Sequence, residues 1–89
     1  MKRYPALVHR SPDGTLGVSF PDMPGCYSAA PNWGALPYAA AQALQLWFDD
    51  MPDVEPTPIN ELREREDVAA ELEKGAMLIM LPRLVSKRM

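Results

Sequence analysis

"SFPDMPGCYS", residues 19–28, runs an alternating strand into a proline, then into a Pro-Gly pair, and resumes at a cysteine. Two readings compete: a reactive thiol on a tight loop, or a corner that turns one strand into the next. Pro24 and Gly25 suit the central positions of a type II turn, since proline presets the first φ and glycine accepts the positive second one. Pro21 ends the preceding strand by removing a backbone donor. A nucleophilic cysteine needs a base or an electropositive setting to become a thiolate. The single histidine, His9, has no recognisable third group to orient it. Cys26 therefore reads as a small, unreactive strand residue, and Pro21, Pro24 and Gly25 as a structural turn.

Working upstream, "RYPALVHR" (3–10) reads as a first strand, with Tyr4, Ala6 and Val8 on one face and Pro5, Leu7 and His9 on the other. Pro5 belongs at a strand start or on an edge, because it cannot donate to a ladder. "SPDGT" (11–15) is hairpin chemistry, with Gly14 free to take positive φ. "TLGVSF" then alternates, Leu16, Val18 and Phe20 sharing a face, so residues 3–20 form a β-hairpin. Downstream, "CYSA" makes a short third strand.

Residues 31–51 read as a loop followed by a helix. Pro37 is tolerated near the first helical position and nowhere deeper, so the helix runs from about Tyr38 to Met51, with "PNWG" as loop and Asn32 a possible cap. Leu36, Ala40, Leu44, Trp47 and Met51 recur at helical steps and predict the buried stripe. The helix is apolar nearly all round, which predicts packing on two sides: the sheet, and a second subunit. "PDVEPTPI" (52–59) predicts an irregular connector running back over the sheet. "NELREREDVAAELEKG" predicts one or two short helices, with Asn60 and Asp67 as cap candidates and Gly75 as a stop. "AMLIMLP" (76–82) predicts a strand covered on both faces.

Eighty-nine residues make one small domain with a thin core. No apolar run approaches the roughly 18 residues a membrane span needs, and the N-terminus does not read as a signal peptide. One cysteine fits a reducing cytosol. The net charge is −3, unevenly spread: ten carboxylates between Asp49 and Glu73 face only Arg63 and Arg65, a local charge of −8. Such a stretch disfavours nucleic acid and either attracts a basic partner or is a solvated helical surface. No zinc spacing, phosphate loop or nucleophile elbow is present. Asp49 and Asp50 are adjacent on a helix end and diverge by about 100°, so they do not chelate one ion. Trp47 reads as core. Trp33, in the loop, is either a contact anchor or a cover for the sheet end.

The Tyr-Pro first strand, the hairpin over Asp-Gly, "SFPDMPGC" and "ALQLWFDDM" together resemble the HicB-like antitoxin domain, over roughly residues 2–82. The resemblance implies an α+β fold: a small, partial RNase H-like domain, β-β-β-α-β, with a helix packed on a three- to four-stranded sheet. It implies a partner, a small basic HicA-like toxin that cleaves RNA, and neutralisation by occlusion. No catalytic residue, metal or cofactor is expected, because residues 3–30 offer only Asp13 and Asp22, both in turns, where two-metal cleavage needs several converging carboxylates. Exposure and charge sign nominate Trp33, Asp49, Asp50, Asp53 and Glu55 as partner-binding residues. The chain departs from the family in the uncharged "NWGALPYAAAQAL" and in stopping at "SKRM". Residues 1–82 are thus expected to form the antitoxin domain and 83–89 a basic tail with no DNA-binding module. The expected protein is cytoplasmic, a homodimer or tetramer, and binds no nucleic acid through this chain alone. A stand-alone scaffold and a divergent nuclease are the alternatives.

Overall fold

The computed structural model describes residues 3–82; the basic tail expected at 83–89 lies outside the described residues. Strands β1 (Arg3–Arg10), β2 (Leu16–Ser19), β3 (Tyr27–Ala30) and β4 (Met77–Pro82) form one antiparallel sheet in the order β3-β2-β1-β4. Helix α1 (Leu36–Asp50) follows β3, and the short helices α2 (Ile59–Leu62) and α3 (Glu66–Glu73) precede β4. The hairpin forms where its turn residues place it. Gly14 has φ +94°, and Thr15 donates its N–H to the Asp13 carboxylate at 3.0 Å.

The decisive corner is a turn and also a core element. Cys26 N–H bonds the Met23 carbonyl at 3.0 Å around Pro24 and Gly25, whose φ is +85°. Met23 between the two prolines is fully buried. Asp22 accepts from the Thr57 N–H at 2.8 Å and the Thr57 hydroxyl at 2.6 Å, pinning the 52–58 connector to this corner. The Tyr4 hydroxyl donates to the Val54 carbonyl at 2.7 Å and pins it a second time.

The main core lies between one sheet face and α1. Tyr4, Ala6, Val8, Leu16, Val18 and Phe20 meet Leu36, Ala40, Leu44 and Phe48 there. The helical stripe differs from expectation in its last members. The buried row advances in steps of four, so Phe48 takes the place predicted for Trp47, while Met51 lies past the helix end and is exposed. A row of i±4 residues forms one packing ridge, and the tilt of the helix over the twisted sheet decides which residue continues it. Trp47 sits at the margin, half-buried, donating its indole N–H to the Pro24 carbonyl at 3.2 Å.

On the other sheet face a smaller core joins Leu7 to Leu62, Val68 and Ala76. β4 is therefore less covered than its apolar run predicts. It is an edge strand, with Ile79 on the main core and Leu78 on the smaller one, but Met77 and Met80 are 42% and 38% exposed. Pro5 lies inside β1, which is not an edge. It falls in the part of β1 that pairs only with β4, where one flank needs no ladder donor.

None of the proposed caps holds a cap position. Asn32 Oδ1 instead accepts from Ala35 N–H at 2.9 Å within the loop, and α1 starts with Pro37 in its first turn and no side-chain cap. Asn60 and Asp67 lie inside α2 and α3. Gly75 does stop α3. It has φ +102°, and the bonds from Gly75 N–H to Leu72 and from Ala76 N–H to Glu71 close a Schellman end.

Candidate functional site: an acidic helix end and an open sheet face

Among the described residues no polar or charged side chain is buried, so the chemistry available to a partner is on the surface. Cys26 does not contribute to it. The thiol is buried, its Sγ is 3.6 Å from the Ala43 carbonyl, and burial pushes its pKa up. A protonated thiol in the core is a poor nucleophile.

The nominated contact residues are all exposed, but they form two separate places. Asp49 and Asp50 end α1, and Asp53 and Glu55 follow on the connector, so these four carboxylates share one region. Trp33, 44% exposed, precedes the other end of α1. At 1.5 Å rise per residue, the helix separates them by roughly 20 Å. A partner touching both must span the helix.

A further feature is one that sequence reading did not find. α2 and α3 cover only the Leu7 side of the outer sheet face, leaving a groove of about 590 Å³ over β2 and β3. His9, Ser19, Tyr27, Arg65, Asp67 and Glu71 line it. His9 Nε2 lies 2.6 Å from Glu71 Oε1, joining β1 to α3 across 62 residues of chain. Arg65 forks onto Asp67 at 2.7 and 3.1 Å, which raises the Arg65 pKa and lowers that of Asp67. Arg65 pairs with Asp67, and Glu71 also meets Lys74 at 3.7 Å, so the groove offers shape and hydrogen bonding more than a strong field. The alternation of β1 put His9 on this face, but no local signal names a partner so distant in sequence.

The His9 hydrogen bond, and next the charge of Lys74, hold the Glu71 carboxyl below its ordinary 4.5. A carboxylate held below its unfolded value stabilises the fold above that value, and the contribution is lost as pH falls through the folded one. Glu71→Gln is therefore expected to lower the melting temperature near neutrality and to leave it unchanged in strong acid. The pair is partly exposed, so the difference is small. Melting curves of both chains across a pH series check this; an undiminished difference in strong acid contradicts it.

Among the described residues no three His, Cys, Asp or Glu side chains gather as a metal site. Asp13 and Asp22, the two carboxylates of the first strands, bond Thr15 and Thr57. No helix among the described residues is long and apolar enough to cross a membrane.

A family model described as the HicB-like antitoxin of bacterial toxin-antitoxin systems matches residues 4–88. No curated protein matches the chain. Among solved structures, the antitoxin HicB of Burkholderia pseudomallei superposes with a TM-score of 0.70 at 20% identity, over 100% of this chain and 71% of that one. Its N-terminal domain, solved separately, gives 0.66 at 19% identity, over 99% of this chain and 100% of that one. A chain of a HicA3 and HicB3 toxin-antitoxin complex gives 0.72 at 18% identity, over 91% of this chain and 96% of that one. At these identities the likeness establishes a shared fold.

Proposed function

The chain belongs to the HicB-like antitoxin family of bacterial toxin-antitoxin systems, and we propose that it binds a small, basic HicA-like RNA-cleaving toxin and neutralises it. Inhibition is by occlusion: the antitoxin covers the toxin surface that would meet RNA and performs no chemistry itself. The observation that carries this reading is the family match over residues 4–88. The acidic stretch supports it, since long-range attraction to a basic protein needs an exposed surplus of carboxylates. Asp49, Asp50, Asp53 and Glu55 steer the approach, and Trp33 anchors the far end of the contact. The complex forms in the cytoplasm, where its RNA substrate is. The chain self-associates as a homodimer or tetramer.

The test is RNA cleavage by the basic protein encoded beside this gene, with and without an equal amount of the 89-residue chain. Suppression accompanied by a co-eluting complex is the expected result. Unchanged cleavage overturns the reading.

A further inference from the structure

Residues 52–58 form neither helix nor strand, yet side chains and core contacts fasten them to the body of the domain. The Tyr4 hydroxyl donates to the Val54 carbonyl at 2.7 Å. Asp22 accepts from the Thr57 N–H at 2.8 Å and from the Thr57 hydroxyl at 2.6 Å. The Val54 side chain packs against the main core. The holding groups come from two separate places in the chain. Tyr4 stands in β1 with no exposed surface, and Asp22 sits in the corner after β2.

Connections between elements ordinarily run over the surface and move more than what they join. This one is stiffened further by its composition. Pro52, Pro56 and Pro58 each restrict φ, and the backbone is extended at both ends, at Met51 (φ −122°, ψ 151°) and at Pro58 (φ −58°, ψ 142°). Val54 and Thr57 are half-buried, whereas Asp53 and Glu55 on either side of Val54 are exposed. The pins therefore hold the backbone that carries two carboxylates, just past the Asp49-Asp50 end of α1. A link between α1 and α2 needs only length; these bonds add direction.

We propose that Tyr4 and Asp22 are positioning residues for the partner contact: acting through Val54 and Thr57, they preset the connector so that Asp53 and Glu55 meet a basic partner already in place. This rests on the toxin contact proposed above and adds how its acidic half is built. A carboxylate on a fixed backbone loses less freedom on binding than one on a loose loop, and the difference appears as affinity. Steering at a distance depends on charge rather than on stiffness. The pins thus act on how long the complex lasts, not on how fast it forms.

The test uses the double variant Tyr4→Phe/Thr57→Val, which removes both hydroxyl donors and preserves every charge. Circular dichroism and a melting curve establish that it is folded. In the free 89-residue chain, amide exchange at Asp53, Val54 and Glu55 is expected to rise at least about tenfold. With the basic protein encoded beside this gene, stopped-flow kinetics should give dissociation faster by about fivefold or more, with the association rate and its salt slope unchanged. Val68→Ala is the control. It trims the smaller core and lowers the melting temperature without touching the connector, so dissociation should stay as in the original chain. Unchanged exchange in the double variant overturns the proposal, as does faster exchange with unchanged dissociation. Equal acceleration by Val68→Ala reduces the effect to lost stability and overturns it too. An original chain that forms no complex instead removes the toxin reading itself, and this inference with it.

Discussion

Leu44→Ala is expected to destabilise the domain by about 2–5 kcal/mol, the range for truncating a fully buried leucine. Leu44 has no exposed surface and sits third in the buried row Leu36, Ala40, Leu44, Phe48. The preceding member of that row is already an alanine, so the helix has no large neighbour on that side to fill the space. Small domains are stable by about 5–15 kcal/mol in total, and a thin core places this one toward the lower end. A loss of this size lowers the melting temperature of such a chain by at least about 8 °C. Leu46→Ala is the matched control: same residue type, same helix, but exposed, so its expected cost in the dilute monomer is below about 0.5 kcal/mol. Thermal and urea denaturation followed by circular dichroism measure both. Equal effects at the two positions would show that α1 does not pack on the sheet through this face.

The second large effect is kinetic. Replacing Asp49, Asp50, Asp53 and Glu55 by lysine turns four carboxylates into four ammonium groups and moves the formal charge from −3 to +5. If the four steer a basic toxin, attraction becomes repulsion, and the association rate is expected to fall at least about tenfold at low ionic strength. The salt dependence should change sign as well, from association slowed by salt to association helped by it. Stopped-flow association across a salt series reads both quantities. Trp33 lies a helix length away, so Trp33→Ala should act on dissociation, and the two sets of changes should be nearly additive. An unchanged rate and salt slope in the charge-reversed chain would remove the acidic group from the path of approach.

The parts of this protein legible in its sequence are those governed by neighbours in the chain. Pro24-Gly25 closes its turn because proline restricts one φ and glycine alone accepts the next at little cost. Gly14 and Gly75 mark a hairpin and a helix end for the same reason. The alternation of Leu16, Val18 and Phe20 assigns a face because side chains alternate along any strand. The family likeness was also legible, since "SFPDMPGC" combines such a strand with such a turn.

What tertiary structure decided are the contacts between residues far apart in sequence. Nothing near Asp22 indicates that its carboxylate holds Thr57, 35 residues on, and nothing near His9 indicates Glu71. Both Trp47 and Phe48 fit a helical stripe, and only the tilt of α1 over the sheet chose Phe48. β4 reads as buried from its composition, yet its place at the sheet edge leaves Met77 and Met80 in contact with solvent. Trp33 and the carboxylates share a charge-and-exposure argument, but α1 holds them at opposite ends of its length. Local dihedral preference and side-chain period act over a few residues and are carried by the sequence itself. Which surfaces meet and which stay open depends on how the elements pack, and that is settled only when the whole chain closes on its core.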